Sequence, residues 1–159
     1  MTFSGGLHDR AGCGETVAVG GSHDRLIFVD VSQIRIDPDP LEPYRISQAF
    51  RVGDLVYTSG QAAIDEHGTL IGVGDFDAQA EQTFLNLERV LEAGGSSLAD
   101  VVKVTIYLTD MSNFGKIVEL RGRWFTPPYP ADTIVQVGSL ALAELEIEIE
   151  AIGIAKDGL

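Results

Sequence analysis

The chain has 159 residues, 45% of them hydrophobic and 22% charged, a composition that indicates one globular domain with its own core. Its 24 acidic and 11 basic residues leave a net charge of −13, which argues against the basic surface that a nucleic-acid-binding protein presents. A single cysteine, Cys13, excludes an intrachain disulfide, and the lack of a long apolar run or a signal-like start predicts a cytoplasmic protein that does not enter a membrane.

Residues 1–32 are predicted to form a flexible, Gly-rich extension, and residues 33–159 a single folded domain. Within the extension, the hexad Gly5–Arg10 returns in similar form as Gly20–Arg25, so that a His-Asp pair occurs twice. Two such pairs do not complete a ligand set, and no metal site is predicted. A short strand at Leu26–Val29 is an open alternative to complete flexibility.

The first predicted elements of the domain are a hairpin and a helix. Alternating apolar residues on either side of Gly53-Asp54 predict two strands joined by a tight turn. Asp77 is a candidate N-cap of a helix that ends at Gly94-Gly95. The apolar residues of this helix recur at helical spacing and are Ala80, Phe84, Leu87 and Leu91.

The second half of the domain is predicted to contain a further helix and three strands. Alternation from Val102 to Leu108 predicts a half-buried strand whose inward residues include Val102. A helix with Phe114, Ile117, Leu120 and Trp124 on one face follows, and Pro127-Pro128 ends it. Two more strands are predicted at about 133–137 and 145–154. The order β-β-α-β-α-β-β indicates an α+β fold of two layers, with the helices packed on one sheet.

Five segments carry a resemblance to a known family. They are Ser47–Ala49, Arg51–Gln61, Val101–Met111, Pro130–Thr133 and Ile147–Ala151. In this order and spacing they resemble the RidA/YjgF family of reactive-intermediate deaminases over roughly the last three-quarters of the chain. The resemblance implies a mixed β-sheet packed on two helices, and a homotrimer with ligand clefts between its subunits.

The resemblance also implies where substrate would bind, and here the chain departs from the family pattern. Family members carry Pro-Ala-Arg-Thr, and the arginine holds a substrate carboxylate; in this chain the position is Asp132. Ser59, Gly60 and Glu148 match the family positions that help to place substrate and water. The loss of the cation predicts an apolar, negatively polarised cleft that favours a neutral or cationic substrate, such as an amide or an amine.

Other family positions are also altered. A helix asparagine is replaced by Val118, and a small polar or cysteine position by Ile134. A tyrosine before the Ser-Gln-Ala segment is replaced by Ile46, two residues after Tyr44, which is a candidate to compensate for it.

The candidate catalytic residues are Glu148 and Asp132, which can divide the roles of general acid and general base if both face one cleft. Asp132 can instead be a strand-edge residue paired with Arg121 or Arg123, and these arginines are possible substitute anchors for a substrate. Glu148 can equally belong to the solvated face of its strand.

The predicted function is a divergent hydrolase or deaminase that acts on a small imine, enamine or amide-like metabolite without metal or cofactor. The predicted partners are a small-molecule substrate and further copies of the chain in a homotrimer, with no nucleic acid and no membrane. The alternatives are a non-catalytic ligand-binding or chaperone-like trimer and, disfavoured by the acidity, an endoribonuclease.

Overall fold

A computed structural model describes residues 15–19 and 27–156 of the chain. Within these ranges lie eight strands and two helices: β1 Glu15–Val19, β2 Ile27–Ile34, β3 Ala49–Val52, β4 Leu55–Thr58, β5 Gln61–Ala62, α1 Phe76–Ala93, β6 Val101–Leu108, α2 Phe114–Trp124, β7 Ala131–Gln136 and β8 Ile147–Ile154. This architecture, one sheet with two helices, confirms the predicted α+β fold class. Neither helix in the described ranges is long and apolar enough to cross a bilayer.

The strands form one mixed sheet in the order β1-β2-β3-β4-β8-β6-β7, and β5 pairs with β8 beside this path. All paired neighbours are antiparallel except β6 and β7, which run parallel. The parallel pair follows from α2, because a helical crossover between two strands returns the chain in the same direction.

The N-terminal edge of the sheet is an antiparallel pair in which β1 and β2 align from Glu15 opposite Val31 to Val19 opposite Ile27. β2 in turn pairs with β3. Residues 15–19 and 27–32 of the predicted extension are therefore paired strands. The rest of that extension, with Cys13 and the repeated hexad, lies outside the described residues, and the domain boundary at residue 33 stays a prediction.

Helix α1 begins at Phe76 because Asp75 caps it. The Asp75 carboxylate accepts hydrogen bonds of 3.1 Å from the backbone N–H groups of Asp77 and Ala78. The prediction of Asp77 as the cap was wrong, since Asp77 lies in the first turn and donates its N–H to the cap. Gly95, at φ +80°, lies just beyond the helix end in the left-handed conformation that suits glycine.

Strand β6 contains an irregularity that the alternating pattern did not predict. Its pairing with β8 shifts register between Val101 and Lys103. As a result Val101 is buried, whereas Val102, predicted to face the core, is 42% exposed. An extra residue on one strand reverses the side-chain alternation locally, as in a β-bulge.

Both helices cover the same face of the sheet and are joined by aromatic contacts. Phe84 of α1 is fully buried, stacks on Trp124 of α2 with ring centroids 5.2 Å apart, and meets the ring of Phe125 edge-on at 5.7 Å. The sheet side chains beneath them include Val104, Ile106, Ile147 and Ile149, all fully buried.

The opposite face, here called the open face, is not covered by either helix. Its strands present a mixed set of side chains: Phe50, Tyr57, Lys103, Thr105, Tyr107, Thr133, Val135, Glu148, Glu150, Ile152 and Ile154. The functional candidates therefore divide between two surfaces, one on each side of the sheet.

Candidate functional site

An open pocket of about 570 Å³ lies between α2 and β7 and is called the α2–β7 pocket. The side chains that define it are Phe114, Val118, Arg121, Tyr129, Asp132 and Ile134. Register explains the strand contribution: Asp132 lies opposite Val104, and Ile134 opposite Ile106, so both share the helix-covered face. Four of the sequence-predicted site residues, Val118, Arg121, Asp132 and Ile134, are thus brought together.

Asp132 and Arg121 form a two-pronged ion pair in this pocket. Arg121 Nε donates to Asp132 Oδ2 at 2.7 Å, and Nη2 lies 2.7 Å from Oδ1. The two side chains are only 24% and 20% exposed, so solvent screens the pair incompletely. The pairing with Arg121 that the sequence left open is present. The predicted negative polarisation of the cleft requires correction, because the guanidinium compensates the charge of Asp132.

The other basic side chains of α2 are engaged elsewhere. Arg123 Nη1 lies 2.9 Å from Oε2 of Glu81 on α1, and its guanidinium lies over the ring of Trp124. Lys116 Nζ lies 2.8 Å from Oδ2 of Asp77. Arg121 is therefore the basic residue of α2 that lines the pocket, and the structure places Arg123 outside it.

Aromatic and aliphatic side chains form an exposed rim around the ion pair. Phe114, Val118 and Tyr129 are 44%, 52% and 58% exposed, and the Arg121 guanidinium lies 5.9 Å from the centre of the Phe114 ring. Phe114 and Tyr129 were not predicted from the sequence as site residues. For Phe114 a signal existed, because Phe114, Val118 and Arg121 are spaced i, i+4, i+7 and so form one stripe of the helix.

A second group, here called the Glu148 cluster, comprises Ser59, Gly60 and Glu148 and lies where the chain passes from β4 to β5. In the pairing of β5 with β8, Ala62 is opposite Glu148. The Glu148 carboxyl group is packed against Gly60 so closely that a Cβ there would lie 2.7 Å from Glu148 Cδ. Burial, with a smaller contribution from the Glu150 carboxylate, raises the pKa of Glu148.

Ser59 is held by the backbone of the segment before β3. Its hydroxyl donates to the carbonyl of Ser47 at 2.6 Å, and its N–H donates to the carbonyl of Gln48 at 2.8 Å. The side chains of Gln48 and Gln61 are both buried, and Gln61 Nε2 donates to Gln48 Oε1 at 3.2 Å. These bonds hold the Ser59-Gly60 segment beside Glu148. The Ser59 hydroxyl donates its hydrogen to the backbone and so has a structural role in this protomer.

Tyr107 is a neighbour of Glu148 that the sequence described only as part of a strand. It lies opposite Glu148 in the pairing of β6 with β8, and its hydroxyl donates to Glu150 Oε1 at 3.1 Å. Burial, followed by the interaction with Glu150, raises the pKa of Tyr107, so the phenol remains a proton donor at neutral pH.

The α2–β7 pocket and the Glu148 cluster lie on opposite faces of the sheet. Asp132 is opposite the buried Val104, whereas Glu148 is opposite Tyr107 on the open face. One protomer therefore does not bring the two predicted catalytic carboxylates together.

Two further predicted site residues lie apart from the pocket lining. Tyr44 and Ile46, near the 3-10 turn at Glu42–Tyr44, are 62% and 46% exposed. No group of three or more His, Cys, Asp and Glu side chains suited to a metal ion occurs in residues 15–19 and 27–156.

Comparison with known proteins shows the family to which the folded domain belongs. A family model described as endoribonuclease L-PSP matches residues 35–155. The chain belongs to this family, the RidA/YjgF family. Among RidA/YjgF structures, that of RidA from the Antarctic bacterium Psychrobacter superposes with a TM-score of 0.71 at 40% identity, covering 77% of this chain and 98% of the other.

Sequence relatives within the RidA/YjgF family include one protein named only by its family and one named for a reaction. A RutC family protein of Pyrococcus horikoshii is 42% identical over 115 residues, which are 72% of this chain and 89% of the relative. A protein of Dermatophagoides farinae named 2-iminobutanoate/2-iminopropanoate deaminase is 36% identical over 115 residues, 72% of this chain and 88% of the relative.

Replacing Glu148 with glutamine is expected to stabilise the fold increasingly as the pH rises. A carboxyl whose pKa is higher in the folded than in the unfolded chain contributes stability below its ordinary pKa of 4.5 and loses that contribution as the pH rises through the folded value. Glutamine does not ionise, so the variant does not lose stability in this way. In urea unfolding between about pH 4 and about pH 8, the free energy of unfolding of the variant should rise relative to that of the wild type as the pH increases. A parallel Glu144→Gln series, at an exposed position, should show no such trend.

Proposed function

We propose that this RidA/YjgF member is a hydrolase that deaminates a small imine or enamine, in a cleft formed between subunits of a homotrimer. The observation that carries the proposal is the state of Glu148: a half-buried carboxyl group with a raised pKa, seated against Gly60. A carboxyl group whose pKa is raised keeps its proton to a higher pH and is a stronger base once ionised, so it exchanges protons with a substrate more effectively than an ordinary glutamate. The relatives named as imine deaminases support the reaction class.

The proposed reaction needs one proton-exchanging group and one water molecule. The Glu148 carboxyl group gives a proton to the imine nitrogen, and its carboxylate then takes a proton from the water that attacks the imine carbon. A C–O bond forms and the carbon becomes tetrahedral. Glu148 then gives a proton to the nitrogen. As the C–N bond breaks, the Glu148 carboxylate takes the proton of the new hydroxyl group, so that ammonia leaves and the carbonyl double bond of the product forms. Water is the only co-reactant, and Glu148 ends in its starting state.

Self-association would complete the cleft, since the α2–β7 pocket and the Glu148 cluster lie on opposite faces of one sheet. The open face carries exposed apolar side chains suited to a subunit contact: Phe50, Tyr57, Val135 and Ile154 are between 36% and 43% exposed. Docking of this face on the edge of a neighbouring copy would set the Glu148 cluster of one protomer against the α2–β7 pocket of the next. We expect sedimentation equilibrium to give the mass of a trimer.

Ammonia release from freshly generated imines tests the function. Two substrates should be compared: 2-iminopropanoate, made in place from alanine by an amino-acid oxidase, and the neutral imine of benzylamine, made by a flavin amine oxidase. The protein is expected to accelerate hydrolysis of at least one of them above the buffer rate. Glu148→Gln should lower that acceleration by about 100-fold or more, because the proton-exchanging group is lost.

The exposed substitution Glu144→Gln is the matched control and should leave the rate unchanged. If the wild-type protein accelerates hydrolysis of neither imine, the proposed function is wrong, and a non-catalytic, ligand-binding trimer becomes the better description. Full activity in Glu148→Gln would remove Glu148 from the mechanism.

A further inference from the structure

We infer that the α2–β7 pocket selects a ligand that is held by an uncharged, amide-like group and carries an apolar or aromatic body, in preference to a carboxylate or an ammonium ion. The inference rests on the proposed function only in taking this pocket as the substrate site. It narrows the expected substrate class from neutral or cationic to neutral, since the charge-based preference for a cation disappears once Arg121 compensates Asp132.

The first argument is the charge of the pocket. Arg121 and Asp132 neutralise each other through two contacts of 2.7 Å between side chains that are each less than one quarter exposed. A ligand carboxylate would add an uncompensated negative charge beside Asp132, and an ammonium ion would add a positive charge beside Arg121. Either ion would lose hydration without gaining a net opposite charge, whereas a neutral polar group avoids that cost.

The second argument is the hydrogen-bonding capacity that the pair retains. A guanidinium group has five N–H donors, and a carboxylate can accept about four hydrogen bonds. In the described part of the chain, Arg121 Nε donates to Asp132 Oδ2, and Nη2 is in ion-pair contact with Oδ1, so other N–H groups of the guanidinium point elsewhere. The pair therefore offers donors next to acceptors. An amide matches this arrangement, because its carbonyl accepts and its N–H donates.

The third argument is the rim. Phe114, Val118 and Tyr129 expose about half of their surface around the ion pair, and the pocket volume of about 570 Å³ holds more than an amide group alone. An aromatic ligand body would bury apolar surface on these side chains. Ile134 extends the apolar lining on the strand side.

Benzamide, benzoate and benzylamine are suitable probes, because they share one aromatic body and differ in the charge of the attached group. Binding to the purified full chain should be measured by calorimetric or NMR titration. We expect benzamide to bind at least about tenfold more tightly than benzoate, and benzylamine to have no advantage over benzamide. Asp132→Asn should invert the first preference, since it leaves the positive charge of Arg121 uncompensated while keeping the shape of the side chain.

Asp77→Asn is the matched control. It removes the acidic partner of another basic residue of α2, Lys116, which lies outside the pocket lining. Its probe preference should equal that of the wild type.

Tighter binding of benzoate than of benzamide by the wild type would overturn the inference, as would an unchanged preference in Asp132→Asn or binding of no probe. The outcome is separable from that of the ammonia assay. If the protein prefers benzamide but hydrolyses no imine, the inference about the pocket stands and the proposed reaction is wrong. If it hydrolyses imines but prefers benzoate, the proposed reaction stands and the inference about the pocket is wrong.

Discussion

Gly60→Ala is expected to lower imine hydrolysis by about 100-fold or more and to lower the free energy of unfolding by about 1–3 kcal/mol. The added methyl carbon would lie 2.7 Å from Cδ of Glu148, too close for two carbon atoms that are not bonded, and 3.0 Å from Cγ, an unusually tight contact. Glu148 projects from a central strand, and the Gly60 backbone is tied through Ser59 to Ser47 and Gln48, so the carboxyl group must move. The ammonia assay and urea unfolding measure the two effects.

Gly138→Ala is the matched control, because no atom lies within 4 Å of a Cβ at that position and its backbone is not in the left-handed region. Both rate and stability should stay close to the wild-type values. The two measurements on Gly60→Ala also answer different questions. A loss of stability without a loss of rate would show that Glu148 is crowded at Gly60 but does not exchange protons with the substrate from there.

Local patterns predicted the helices and most strands because the relevant interactions are themselves local. The apolar spacing of Ala80, Phe84, Leu87 and Leu91 describes one face of α1, and all four are fully buried. The irregularity at Val102 escaped prediction for the opposite reason. An uninterrupted alternation gives no sign of an extra residue, and the register shift depends on pairing with β8, which is distant in sequence.

The same distinction explains which parts of the site were predictable. The family resemblance singled out Val118, Asp132 and Ile134, and the structure places all three at one pocket. The partner of Asp132 was left open between Arg121 and Arg123. Two residues apart on a helix, these side chains point about 200° away from each other, so only one can face β7.

Tertiary packing decides between the two arginines. Ile117 is fully buried and Trp124 stacks on Phe84, which fixes the rotation of α2 about its axis. That rotation turns Arg121 toward β7 and Arg123 toward Glu81 on α1. The helical spacing of Arg121 with Val118 favours Arg121 over Arg123 as a pocket residue. The direction in which this stripe of the helix faces, however, depends on how α2 packs.

Asp132 and Glu148 lie on opposite faces of one protomer for a reason of register, and the hypothesis that both face one cleft between subunits stays a prediction. Asp132 aligns with Val104, and Glu148 with Tyr107, three residues further along β6. An odd separation on a strand places side chains on opposite faces. Sequence alone does not give the alignment of β7 and β8 with β6, so it does not give the relative faces of these carboxylates.

Phe84→Ala is expected to lower the free energy of unfolding by about 3–5 kcal/mol. The ring is fully buried, stacks on Trp124 and meets Phe125 edge-on, so its removal leaves a cavity where α1, α2 and the sheet converge. The same contacts orient α2 and thereby Arg121. Weaker benzamide binding should therefore accompany the loss of stability at temperatures where the variant is still folded. Urea unfolding and probe titration measure the two effects.

Leu85→Ala is the control for this change, since Leu85 is the next residue of the same helix but is 43% exposed. Its truncation removes a side chain that does not fill the core and should cost less than about 1 kcal/mol. Equal costs at the two positions would contradict the packing described for α1. A large cost at Phe84 with unchanged benzamide binding would show that the Asp132 contact alone holds Arg121 in place, and that α2 needs no aromatic support to present its guanidinium to the pocket.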